Sequence, residues 1–128
     1  MPNILTGIVA IVDDDAAVRS AVSRLLNVSE IRNRSYASPR DFLDSLESET
    51  PDCLIVDFQM PGMNGLELQE QLSRSGVSIP TIVITAHGDA ELRKRCLATG
   101  AAAYLTKPFD SDVLLASINS AVASWPAP

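Results

Sequence analysis

The stretch "IVAIVDDDAAVRSAV" (residues 8–22) decides the fold. Five aliphatic residues, Ile8 to Val12, run without a polar interruption, which suits a parallel strand covered on both faces. Asp15 then stands where a helix start needs a side-chain acceptor. Val18 and Val22, with Leu25 and Leu26 further on, share one face of a helix over 16–27. A buried strand that passes directly into an amphipathic helix is the opening of a βα unit. At the junction sit Asp13, Asp14 and Asp15. Like charges this close resist joint ionisation and raise one another's pKa, so such a cluster calls for a neutralising cation.

The same unit repeats along the chain. Cys53 to Val56 and Thr81 to Thr85 are further aliphatic runs, while Arg34 to Ala37 and Ala102 to Thr106 are weaker strand signals, giving five strands. Ser38-Pro39-Arg40-Asp41 supplies a cap, a proline at the first helical position and an acid three residues after the serine. Asn64 precedes a helix presenting Leu66, Leu68 and Leu72, and Asp89 one presenting Leu92, Cys96 and Leu97. Asp110 is the candidate cap of a last helix carrying Val113, Leu114, Ile118 and Val122. Gly76 and Gly100 fall where helices need a left-handed terminator. Strict alternation with short connections predicts an α/β domain, a doubly wound parallel sheet built from five βα units.

Composition narrows the function. At 128 residues and 46% hydrophobic, the chain fits one domain with an adequate core. Its formal charge of −6 opposes binding to nucleic acid or an anionic membrane, both of which select basic faces. No run approaches the roughly 18 apolar residues of a membrane span, and the N-terminus lacks the pattern of a signal peptide, so the expectation is a cytoplasmic protein. Cys53 and Cys96 have neither CxxC spacing nor neighbouring histidines and read as buried thiols. The domain is expected over 1–124, with Trp125-Pro126-Ala127-Pro128 as a tail or the start of a linker.

In open parallel sheets the ligand crevice lies beyond the carboxyl ends of the strands. Asp13, Asp14 and Asp15 follow the first strand, Asp57 the third, Thr85-Ala86 ends the fourth, and Lys107-Pro108 follows the fifth. Each has a plain reading alone: a cap, a turn, a strand residue, a solvated lysine. Together at equivalent strand ends they form a site of carboxylates, a hydroxyl and an ammonium.

These residues, with Asp57 in "LIVDFQMPGMNG", Thr85-Ala86 in "IVITAHGD", and Tyr104 and Lys107-Pro108 in "YLTKPF", make the chain resemble receiver domains of bacterial two-component response regulators. It is most similar to the FixJ-type subfamily, whose receivers usually precede a LuxR-type helix-turn-helix. The resemblance implies the flavodoxin-like (βα)5 fold with strand order 2-1-3-4-5. It implies that Asp57 takes a phosphoryl group from a sensor histidine kinase, that the domain is not an enzyme beyond self-catalysed phosphotransfer and slow autodephosphorylation, and that it switches an output, transcription above all. Mg²⁺ would be held by Asp14, Asp57 and the backbone carbonyl of Gln59, with Asp13 binding coordinated water. Lys107 and Thr85 would contact the phosphoryl oxygens, small Ala86 would leave the approach open, and the bond before Pro108 would be cis. Gln59 and His87 occupy the positions that tune phosphoryl lifetime in the family; His87 is equally readable as an exposed loop residue. Thr85 and Tyr104 would couple phosphorylation to a homodimer face on the fourth helix and fifth strand. DNA would be reached only through an output domain following this segment.

The rival reading is a haloacid-dehalogenase-like phosphatase, with Asp13 as nucleophile and Asp15 as acid. It leaves Asp57 and its loop unexplained, and only Asp110 and Asp112 follow the lysine where that family needs a further acidic pair.

Overall fold

A computed structural model describes residues 7–123. Ten elements alternate along the chain: β1 (Ile8–Val12), α1 (Ala16–Val28), β2 (Arg32–Tyr36), α2 (Pro39–Ser45), β3 (Cys53–Asp57), α3 (Gly65–Arg74), β4 (Thr81–Thr85), α4 (Ala90–Ala98), β5 (Ala103–Thr106) and α5 (Ser111–Ala123). The strands form one parallel sheet in the order β2-β1-β3-β4-β5. The tail 125–128 lies outside the described residues.

The unbroken aliphatic runs are explained by helices on both faces. Successive strand residues point to opposite sides. Val9, Ile11, Cys53, Ile55, Ile82 and Ile84 pack with Val22 and Leu26 of α1 and Leu114 and Ile118 of α5. Ala10, Val12, Leu54, Val56 and Val83 pack on the other side with Phe42 of α2, Leu68 and Leu72 of α3, and Cys96 of α4. Both cysteines are buried and free, as read from the sequence.

The helix starts form where their caps predict. Asp15 accepts from the Ala17 N–H at 2.9 Å, Ser38 from Asp41 at 3.1 Å and Asp89 from Leu92 at 2.7 Å. Asn64 goes further: it accepts from the Glu67 N–H while Glu67 accepts from the Asn64 N–H, a reciprocal capping box. At Asp110 it is the backbone carbonyl that accepts, from the Leu114 N–H. Gly76 and Gly100 do adopt the left-handed conformation, with φ of 74° and 113°.

Three expectations shift. The second strand begins at Arg32, two residues before the polar-rich sequence suggests, because it is an edge strand paired only with β1 and mostly exposed. Leu97 and Val113, placed on inward faces by periodicity, are 37% and 44% exposed. Their helices cover the sheet with narrower stripes, through Cys96 on α4 and Leu114 and Ile118 on α5.

Candidate functional site

Strand register brings the site together. Val12 is aligned with Val56 across β1 and β3, so Asp13 and Asp57, the next residues on each strand, are neighbours at the carboxyl edge. Asp57 itself ends β3, aligned with Ile84, and Thr85 ends β4, aligned with Thr106. Lys107 follows Thr106, and its N–H donates to the Thr85 carbonyl at 2.8 Å. The loop after it contains a cis Lys107–Pro108 bond.

Asp13, Asp14 and Asp57 each place a carboxylate oxygen within 4.8 Å of the others. Their exposures differ sharply: Asp13 is fully buried, Asp57 is 7% exposed, and Asp14 faces solvent. Lys107 Nζ bridges the two buried acids, 3.3 Å from Asp13 Oδ2 and 3.6 Å from Asp57 Oδ2. The other Asp13 oxygen accepts from the Asp15 N–H at 2.9 Å, and Asp57 Oδ1 from the Gln59 N–H at 3.3 Å. Burial raises the pKa of Asp57, and the charge of Asp13 adds to the rise, with Asp14 contributing less; Lys107 and the Gln59 N–H oppose it. One ammonium thus leaves the acidic cluster only partly compensated. Three carboxylates around one opening are a hard oxygen set, which fits Mg²⁺, an ion content with one or two carboxylates and several waters.

Thr85 is fully buried, and its hydroxyl accepts from the His87 N–H at 3.2 Å, leaving its own proton free to be donated. Ala86 and His87, the next two residues, are exposed, as is Gln59 in the loop after Asp57. Tyr104 packs with the α3/α4 side of the core, where its hydroxyl oxygen is buried. Gly65 lets the loop after Asp57 close: a Cβ there would stand 3.2 Å from the Asp57 carbonyl oxygen and from Phe58 Cα.

Two residues escaped the sequence reading. Arg19 on α1 donates to the Asp13 carbonyl at 2.7 Å and pins the acidic loop. Its signal was present, since a long side chain one turn into a helix leans back toward the N-terminal loop. Gly88 abuts Thr85 and Tyr104, and no local pattern announces that.

A doubly wound domain with an acidic cluster that could hold a cation, a buried threonine and a lysine at the carboxyl edge of its sheet is, in class, a signalling receiver. Residues 9–119 match the response regulator receiver domain, and the chain belongs to that family. It is 38% identical over 115 residues to the transcriptional regulatory protein TdiR of Thauera aromatica, covering 90% of this chain and 51% of that one, so it spans about half the length of this curated relative. The crystal structure of FixJ-N superposes with a TM-score of 0.86 at 31% identity, covering 94% of this chain and 97% of the other. A response regulator receiver protein from Burkholderia phymatum gives 0.80 at 44%, covering 91% and 94%. These likenesses bear out the FixJ-type reading and the flavodoxin-like fold. Nothing in them favours the phosphatase, and the geometry opposes it: the nucleophile it requires, Asp13, is sealed from solvent between the Asp15 N–H and Lys107.

Proposed function

We propose that Asp57 is the phosphoacceptor of this receiver and that a phosphohistidine of a sensor kinase is its donor. The observation that carries the reading is the position of Asp57: at the strand edge, inside the acidic triad, with Lys107 Nζ 3.6 Å from its carboxylate. An Asp57 oxygen attacks phosphorus, the P–N bond breaks, and the histidine nitrogen leaves with its electron pair and takes up a proton. Lys107 and the Thr85 hydroxyl meet the charge on the transferring oxygens, and positioning of this kind supplies most of phosphoryl-transfer catalysis. Asp14, Asp57 and the Gln59 carbonyl would hold Mg²⁺, with Asp13 orienting its water. When bound, the ion neutralises charge between the carboxylate and the incoming phosphoryl group.

Gln59, two residues after Asp57, and His87, two after Thr85, are both exposed and would meet an attacking water, so setting the lifetime of the aspartyl phosphate. Among the described residues no helix is long and apolar enough to cross a membrane, in keeping with work in the cytoplasm, where a histidine kinase presents its phosphohistidine. Likeness to a transcriptional regulator supports transcription as the output, with DNA contacted by a separate domain.

Incubation with a small phosphodonor and Mg²⁺ tests this directly. The intact mass should rise by one phosphoryl group, and Asp57→Asn should abolish the gain. If Asp13→Asn abolished it and Asp57→Asn did not, the phosphatase reading would replace this one.

A further inference from the structure

We propose that Gly88 is a positioning residue for Tyr104: the missing side chain at position 88 is the seat of the Tyr104 hydroxyl, and its size sets how tightly Thr85 and Tyr104 move together. The inference rests on the assignment of Thr85 and Tyr104 as the switch pair.

Three observations carry it. A Cβ at position 88 would lie 2.5 Å from the Tyr104 hydroxyl oxygen, 3.2 Å from Tyr104 Cζ and 3.2 Å from the Thr85 methyl carbon. One point of backbone therefore touches both members of the pair. Secondly, the backbone does not ask for glycine here. Gly62, Gly76 and Gly100 have positive φ, whereas Gly88 does not, so no left-handed backbone demands glycine there, and the atoms nearest to an added Cβ belong to Tyr104 and Thr85. Thirdly, the hydroxyl oxygen in this seat is buried and makes no hydrogen bond among the described residues. Around it lie Cys96, Asp89 and Arg93, and the Asp89 N–H approaches it without completing a bond.

A buried hydroxyl without a partner is held at a cost. The inward ring is thus kept by shape more than by bonding, and a ring so held is easily displaced. Filling the seat with one methyl group should push it out. Overpacking of this size shifts a two-state equilibrium on the order of tenfold to a hundredfold. Residues 86–89, between β4 and α4, are exposed and lie outside the sheet, so the substitution leaves the buried strands themselves unaltered.

Fluorotyrosine labelling of the full chain gives the test, because the sequence has two tyrosines, Tyr36 and Tyr104. Tyr36, on the far edge strand, serves as the internal control for folding. In Gly88→Ala the ¹⁹F resonance of Tyr104 should move to a solvent-exposed position while that of Tyr36 stays. Its response to beryllofluoride and Mg²⁺, which mimic the aspartyl phosphate, should weaken about tenfold or more. In a Tyr104→Phe background, which removes the hydroxyl, the loss of stability caused by Gly88→Ala should shrink. An unmoved Tyr104 resonance in Gly88→Ala, movement of both tyrosines, or a stability loss unchanged by Tyr104→Phe would overturn the proposal. A wild-type Tyr104 resonance indifferent to beryllofluoride would instead remove the switch assignment, leaving the seat itself to be judged by the unliganded spectra.

Discussion

Asp57 is poised by environments that disagree. Burial and Asp13 favour its protonated form, and Lys107 and the Gln59 N–H favour the ionised one, with the balance falling toward a raised pKa. A carboxyl that holds its proton more tightly when folded contributes stability at low pH and loses it as pH rises through the raised value. Wherever Asp57 is ionised, its burial beside Asp13 therefore strains the fold, and a bound cation would relieve it. Asp14→Asn, which removes the exposed member, should make the metal-free protein more stable while weakening Mg²⁺ binding by at least about tenfold. Thermal melts with and without Mg²⁺ check both, since a ligand stabilises the state it binds; an equal Mg²⁺ shift in both proteins would remove Asp14 from the ligand set. Cys53 makes a separate pH prediction. Burial pushes its thiol up to about 12, whereas an unfolded thiol ionises near pH 8.5. Above that value the unfolded state gains charge that the folded state refuses, so the Cys53 contribution to stability should fall steadily between about pH 8.5 and 12, and Cys53→Ala should flatten that limb. Among residues, Asp13, Asp14, Asp57 and Thr85 were the most legible in the sequence, because each ends or closely follows an aliphatic run; Lys107 follows a weaker strand and was read from its place beside the others. Arg19 was passed over although its position one turn into α1 carried the signal, and Gly88 because its contact forms only in three dimensions.

Elements were legible wherever two signals agreed. The second helix had a serine cap and a proline at its first position; the third was read from Asn64, to which the structure adds the reciprocal bond with Glu67. Asn64→Ala removes the acceptor for one N–H and the anchor for the other. It should cost about 1 kcal/mol, or about 3–6 °C in the melting temperature of a domain this size. A melt within a degree of wild type would show that solvent replaces the cap in full. β2 was misplaced for the opposite reason. Its sequence, Arg-Asn-Arg-Ser-Tyr, contains no aliphatic residue, because an edge strand buries little and is held by its ladder to β1. Charged side chains there also discourage pairing with another sheet. Leu97 and Val113 were misassigned because helical periodicity marks a face but not its width.

At the scale of the whole molecule, the site at the carboxyl edge and the surface it would govern are joined through β4, which ends in Thr85, and β5, which carries Tyr104. Asp57, at the end of β3, lies next to Lys107, whereas Thr85 and Tyr104 lead to the α3/α4 side, and Glu91, Lys94 and Arg95 of α4 are exposed there. Phosphorylation should therefore favour self-association through α4 and β5. The charged rim would select the partner more than strengthen the contact. A swing from 1:99 to 99:1 needs about 5.5 kcal/mol of differential interaction, which a network of Lys107, Thr85 and a cation around one phosphoryl group must supply. Sedimentation with and without beryllofluoride should show more dimer in the treated wild type and less response in Thr85→Ala; identical monomer fractions in wild type would exclude this switch for the domain. The strand order has a different consequence, for biosynthesis. β1 leaves the ribosome before the other strands of this sheet, yet it lies inside it, between β2 and β3. Its Val9 and Ile11 share a core with Leu114 and Ile118 of α5, which emerges after the other described helices of this domain. At translation rates of about 5–20 residues per second, one side of the nascent sheet stays incompletely covered for roughly 5–20 s. During that interval the chain is a client for whatever shields apolar surface in the cell, and a translational pause placed before α5 would lengthen its exposure more than one placed after it.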